Sequence, residues 1–148
     1  MGYRNVIVGT DGSETAELAV RHAASLAKAF DARLTIVTAF APAPASPTDL
    51  SEVPEDLKWR ITDSAAADER AESAQRIAKE IGVKEVRRRT SAGDPATAII
   101  EVAEDTGGDL IVVGSKGMAS PSRFVLGSVP NKVSHHTPCD VMIVHTVN

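Results

Sequence analysis

Two glycine-bearing segments hold the residues best placed to do chemistry. One is Gly9-Thr10-Asp11-Gly12-Ser13, which follows the apolar triplet Val6-Ile7-Val8. The other is Gly114-Ser115-Lys116-Gly117, which follows Ile111-Val112-Val113. After Gly117 come nine residues and then Gly127-Ser128, at the head of a helix-like stretch. Glycine lets backbone amides approach a ligand closely and form an anion-binding nest. A helix N-terminus adds unpaired N–H groups and the positive end of the helix dipole. The Ser128 hydroxyl is a further donor, and Lys116, Arg123 and Lys132 offer local positive charge. Together they predict a phosphate site between Gly114 and Ser128, with the base and ribose of a nucleotide near the ends of the first two strands. A lone GxxG only shapes a turn; glycines at 114, 117 and 127, set between a buried strand and a helix, are far more specific.

The elements that must position these residues alternate along the chain. Residues 4–10, 33–40, 109–114 and 140–146 are apolar runs rich in Val and Ile. They are apolar at consecutive positions, the pattern of strands buried on both faces of a parallel sheet. Residues 85–90 (EVRRRT) are charged and read as an edge strand, where charge discourages edge-to-edge pairing. Ser13 caps a first helix with the stripe Ala16, Ala19, Val20, Ala23, Ala27 and Phe30. A second helix is expected over 55–81. A third starts at Asp94-Pro95 and ends at Gly107-Gly108. A fourth is expected from a Ser128 cap through Val133, stopped before Pro138. Residues 41–54 hold four of the eight prolines and predict an irregular connection, either a lid or a surface loop.

This order predicts an α/β fold: an open five-stranded parallel sheet, Rossmann-like, with helices on both faces and right-handed crossovers. The strand order 3-2-1-4-5 places the apolar first and fourth strands centrally and the charged third at an edge. Ligands of such sheets sit at the carboxyl ends of the strands, where the order reverses, here between strands 1 and 4. Both glycine segments lie there.

Composition narrows the function classes. A chain of 148 residues is one domain, 1–148, at roughly 100–200 residues per domain. Aromatic residues are only 3% of the chain, so the core must be built of small aliphatics and stacking platforms for single-stranded nucleic acid are scarce. Sixteen Lys and Arg against twenty Asp and Glu leave a net charge of −4, which excludes a broad nucleic-acid footprint but not a local anion site. The lone Cys139 can make neither an internal disulfide nor a cysteine-based zinc site. No stretch approaches the roughly 20 apolar residues of a membrane span, and no signal-peptide pattern is visible. The expected compartment is the cytoplasm, with neither nucleic acid nor membrane as partner.

The spacing Gly114-x2-Gly117-x9-Gly127-Ser128 resembles the universal stress protein family, whose ATP-binding branch carries G-x2-G-x9-G-[S/T]. The opening VIVGTDGSETA over 6–16 and the ending TPCDVMIV over 137–144 resemble the family too. The resemblance implies a small α/β dimer that binds ATP, with or without Mg²⁺, without being an efficient enzyme. It matches Thr10 and Asp11, beside Gly9, to residues lining the adenosine, and Ala39 to an apolar contact with adenine. Val113, Gly114, Ser115, Lys116 and Gly117, with Gly127, Ser128 and Val129, match ribose and phosphate contacts. Lys116 stands where Arg or His is common, and Pro130 where a hydroxyl residue is common. Some family members bind cyclic AMP, which makes that ligand an alternative; a slow ATPase is another.

Rival classes lack their residues. A dinucleotide oxidoreductase needs GxGxxG and an acidic residue ending strand 2, where Ala39 and Phe40 stand. A P-loop NTPase needs GxxxxGK[ST], and a phosphoacceptor domain needs an acidic cluster around Asp11; both are missing. Asp94 reads as a helix cap. His135, His136 and Cys139 offer too few ligands for a metal site and lie where a helix dipole favours His. No catalytic residue and no metal ligand is assigned. The apolar fifth strand is a free edge of the kind that is normally paired. It predicts a homodimer through residues 141–147, bounded by Val141 and Val147.

Overall fold

A computed structural model describes residues 2–40, 63–115 and 127–146. The connection over 41–54, the expected first turns of the second helix, and Lys116, Gly117, Arg123 and Val147 lie outside the described residues. Among the described residues, strands and helices alternate: β1 (Asn5–Gly9), α1 (Glu14–Phe30), β2 (Arg33–Phe40), α2 (Asp63–Ile81), β3 (Val86–Ala92), α3 (Pro95–Thr106), β4 (Leu110–Gly114), α4 (Ser128–His136) and β5 (Asp140–Val144). The strands form one parallel sheet in the expected order β3-β2-β1-β4-β5.

Consecutive burial has a direct cause in this arrangement. Val6 and Val8 point toward α1 and α2, and Ile7 points toward α3; all three are fully buried. Leu34 and Ile36 of β2 join the first face and Val37 the second; on β4, Leu110 and Val112 oppose Ile111 and Val113 in the same way. Fully burying each such side chain contributes about 1.5–3 kcal/mol gross. Alanines let the helices lie close. Ala19, Ala23, Ala24 and Ala27 of α1, with Ala71, Ala74 and Ala78 of α2, are buried in the first layer.

The helix ends follow their local chemistry. The Ser13 hydroxyl accepts from Ala16 N at 3.2 Å, and Asp94 Oδ2 accepts from Thr97 N at 3.0 Å. Each satisfies one of the orphan amides of a first turn. Asp31 ends α1 in the left-handed region (φ 53°), which a short polar side chain tolerates. Four boundaries differ from expectation. Gly127, not Ser128, is the cap of α4, so Ser128 is the first helical residue, and no side chain caps that helix. The helix also runs past Val133 to His136, because the chain first turns extended at Thr137 (ψ 138°), the residue before Pro138. β3 reaches Ala92 because Ser91 and Ala92 continue the ladder opposite Ala39 and Phe40. β5 stops at Val144, opposite Gly114, where Thr146 N turns instead to the Ser115 hydroxyl at 3.1 Å.

A polar lock closes the amino end of the sheet. Asp109, entering β4, accepts from Arg4 N at 2.8 Å and Asn5 N at 3.0 Å. The buried Asn5 amide donates to Thr106 O and Thr106 Oγ1, and its carbonyl accepts from Thr35 Oγ1 at 3.0 Å. Asn5→Ala strands the buried Thr35 hydroxyl and the Thr106 carbonyl together. We expect a loss of about 1–3 kcal/mol in urea-unfolding stability, and a loss under ~0.5 kcal/mol would show that the lock carries little.

Candidate functional site

The turn from β1 into α1 is built from two short rings. Thr10 N still donates to Val37 O at 3.0 Å, which extends the β1–β2 ladder by one bond. Gly12 N then donates to Thr10 Oγ1 at 3.1 Å, and Ser13 N donates to Asp11 Oδ1 at 2.9 Å. Small polar side chains that bond to the backbone two residues on are what make such turns. Gly12 sits at φ 82°, which its lack of a Cβ permits.

The end of β4 is organised around Ser115. Its N–H donates to Val144 O at 2.7 Å, and its carbonyl accepts from Gly127 N at 2.9 Å. Its buried hydroxyl accepts from Thr146 N at 3.1 Å and lies 3.3 Å from Thr146 Oγ1. The bond to Gly127 draws the head of α4 against the end of β4, although eleven residues separate Ser115 from Gly127 in the chain.

Between these two ends lies a cleft of about 150 Å³. Gly9, Thr10 and Asp11 form one side, with Ser13, Thr15 and Ala16 of the α1 entry. Val113, Gly114, Val129 and Pro130 form the other. Val37, Ala39, Pro95 and Ile99 complete the aliphatic wall. Of the residues singled out from sequence, Gly9, Thr10, Asp11, Ala39, Val113, Gly114 and Val129 therefore converge. Ser115, Gly127 and Ser128 stand beside the cleft without lining it, and the Ser115 hydroxyl is turned to Thr146. Lys116 and Gly117 are outside the described residues.

Val37, Pro95 and Ile99 were not singled out for the site, and Pro130 was noted only as a departure from the family pattern. A signal existed for two of them. A proline at the first position of a helix that follows a parallel strand stands at the carboxyl edge, where the cleft is. Pro130 fills the corresponding edge of α4. Ile99 and Val37 carry no such mark, since each reads as core.

Among the described residues, the Lys132 and Asp11 charges near the cleft have partners. Lys132 Nζ donates to Asp94 Oδ2 at 3.0 Å and to Thr97 Oγ1 at 3.1 Å, and so ties α4 to the head of α3. The Lys132 ammonium, with the Thr97 amide, holds the Asp94 carboxyl below its usual range. Asp11 is the one carboxylate lining the cleft among the described residues, and its Oδ1 closes the turn. At the far end of α4, burial pushes the Cys139 thiol up, and the residue sits in a turn closed by Thr137 Oγ1, which donates to Cys139 O at 2.7 Å. Among the described residues no three His, Cys, Asp or Glu converge as metal ligands do, and no helix is long and apolar enough to cross a membrane.

Comparisons with known proteins place this geometry in context. The model of the universal stress protein family matches residues 2–145. The universal stress protein Rv1636 of Mycobacterium tuberculosis is 37% identical over 144 residues, covering 97% of each chain. A universal stress protein crystallised in complex with cAMP is 33% identical, with a TM-score of 0.74, over 99% of this chain and 100% of that one. The universal stress protein UspA from Lactobacillus plantarum is 26% identical with a TM-score of 0.81, over 97% of this chain and 99% of that one.

Gly9 has a packing reason beside any ligand. A Cβ built there would stand 2.5 Å from Ile99 Cδ1 and 3.2 Å from its Cγ1. Gly9→Ala should cost about 1–3 kcal/mol of stability through overpacking. Ile99→Val removes Cδ1 and should recover at least ~0.5 kcal/mol of that loss beyond additivity in a double-mutant cycle. Strict additivity would contradict the contact.

Proposed function

The chain belongs to the universal stress protein family, and from that premise we propose that it is an adenine-nucleotide-binding regulatory protein that takes ATP in the cleft between β1 and β4. The observation that carries the reading is the Gly127 N to Ser115 O bond, which brings the head of α4 to the end of β4 beside an aliphatic cleft. On this reading the adenine lies against Ala39, Val37 and Ile99, with Thr10 and Asp11 at the adenosine. The phosphates run from Gly114 toward the amides of Ser128 and Val129, which the helix leaves unpaired. Ser115, Lys116, Gly117 and Gly127 complete the proposed phosphate contacts, and Mg²⁺ would accompany a triphosphate.

Cyclic AMP is a second reading, and two observations favour it. Pro130 is the third helical residue of α4 and has no N–H, so the helix head offers one donor fewer. The Lys132 ammonium is held by Asp94 and Thr97. Both reduce what is available to a triphosphate more than to a single cyclic phosphate. A similar protein, 33% identical, was crystallised with cAMP. Turnover is not part of the proposal. Phosphoryl transfer needs a group that positions the attacking water, and Asp11 has one oxygen committed to its turn.

We also propose a two-fold dimer through β5, continuing over residues 141–147. β5 is an end of the sheet, and its Met142 and Ile143 are exposed apolar side chains. Such an edge is an aggregation hazard unless it is paired or covered.

Calorimetric titration with ATP, ADP, AMP and cyclic AMP, with and without Mg²⁺, tests the ligand. Saturable binding of ATP or cyclic AMP is expected, and Gly114→Ala should weaken it by about tenfold while leaving the circular dichroism unchanged. No saturable binding of any of the four would overturn the proposal. For the assembly, light scattering at micromolar concentration should report twice the chain mass, and Met142→Lys should halve it. A monomeric wild type would remove the β5 dimer.

A further inference from the structure

The β1–α1 turn has a second side. A Cβ built on Gly12 would meet Arg70 Cγ at 2.9 Å, Cδ at 3.1 Å and Nε at 3.6 Å. The stem of Arg70, reaching from α2, therefore occupies the space that a side chain at position 12 would need. It does so within a second cavity, about 540 Å³, bordered by Thr10, Gly12, Ser13, Val20, Arg70 and Ala74. Val20 and Ala74 belong to the layer of α1 and α2, whereas Val37, Ile99 and Val113 of the first cleft belong to the opposite layer. Thr10 and Ser13 border both spaces. The turn is thus a thin partition: the candidate nucleotide cleft lies on one side and Arg70 on the other.

A partition of this kind needs support. Asp11 and Gly12 are exposed, and the two rings inside the turn are single hydrogen bonds to small side chains. Glycine at φ 82° widens the conformations open to the unbraced turn. A long cationic side chain can bury its methylenes against apolar or backbone surface while its head group stays with polar partners. Gly12, lacking a side chain, leaves a flat surface that fits such a stem.

We propose that Arg70 is a positioning residue: its methylene stem braces Gly12 from behind and holds the Thr10–Ser13 turn in the form that meets the nucleotide. This rests on the nucleotide reading above for its effect on affinity, but the brace itself is a property of the ligand-free protein. Arg70 borders the second cavity and is absent from the cleft lining, so its influence passes through Gly12. The gain is preorganisation: a turn already in its bound form loses less freedom when ligand arrives.

The test compares Arg70→Ala, which removes the stem, with Arg70→Met, which keeps an unbranched stem and removes the charge. Hydrogen exchange at the Gly12 and Ser13 amides of the free protein reads the brace directly. Nucleotide titration of the same proteins reads its consequence, and urea unfolding controls for global stability. In Arg70→Ala both amides should exchange about tenfold faster and affinity should fall about fivefold, with unfolding midpoint unchanged. Arg70→Met should stay within about twofold of the wild type on both readouts. Wild-type exchange rates in Arg70→Ala would overturn the brace, and so would equal damage in Arg70→Met, which would assign the effect to charge. If the wild type binds no adenine nucleotide, the reading of the cleft fails, while the exchange rates still decide the brace.

Discussion

The structure depends on one constraint: β1 and β4 are neighbours whose outgoing chains must leave toward opposite faces of the sheet. The chain leaving β1 enters α1, which packs with α2 over Val6, Val8 and Leu110. The chain leaving β4 returns as α4, whose Val133 packs with α3 against Ile7, Ile111 and Val113. Among the described residues, the two connections part at the carboxyl ends of these strands, one toward each face. A crevice at their carboxyl ends is therefore a consequence of topology and not of any single residue. Side chains decide only what that crevice is lined with.

The two ends of the sheet are fastened differently. At the amino end Asn5, Thr35, Thr106 and Asp109 saturate one another with side-chain and backbone hydrogen bonds. Tyr3 adds a bond to Asp140 at 2.9 Å, and its ring meets Phe30 edge-on. The bonds of Tyr3 to Asp140 and of Arg4 and Asn5 to Asp109 span more than 100 residues of sequence and fasten β1, β4 and β5 at their starts. At the carboxyl end β1 and β4 finish in glycine and small polar residues, tied by the short rings of Thr10 and Asp11 and by the longer-range bonds of Ser115 to Val144, Gly127 and Thr146. A fastened base leaves the upper turns free to be specialised. It is the reason short rings such as those of Thr10 and Asp11 suffice there.

Much of the fold was legible because the signals for it were local. Unbroken Val and Ile runs announced doubly covered strands, and Arg87-Arg88-Arg89 announced an edge, so the strand order followed. Asp94-Pro95 and Ser13 marked helix starts that the structure keeps. Elements failed to be legible where two neighbours had equal claims or where contacts were distant in sequence. Gly127 and Ser128 are both good cap residues, and only the bond from Gly127 N to Ser115 O decides for glycine. Lys132 looked available for phosphate because Asp94, 38 residues away, carries no sequence mark as its partner. Ile99 and Val37 were readable as core but not as cleft walls. Only the packing of α3 and α4 turns one edge of each toward the switch point.

The low aromatic content of the chain takes on a meaning at the cleft. With Val37, Ala39, Ile99, Val113, Val129 and Pro130 as walls, a base would be held by shape and dispersion and by no ring stacking. Packing against aliphatic walls depends on their spacing, and that spacing is set by the contact of α3 with α4. The Lys132 bond to Asp94 and Thr97 joins those two helices at their heads, beside Pro95 and Pro130 on the cleft wall. A lysine that looks like a phosphate ligand in the sequence thus ties together two of the helices that wall the apolar part of the cleft. On the proposed reading, backbone amides at the head of α4, whose dipoles are fixed in direction by the fold, then carry a large share of anion binding. A site of this kind distinguishes its ligands by geometry, by how far a phosphate reaches toward the head of α4, more than by their total charge.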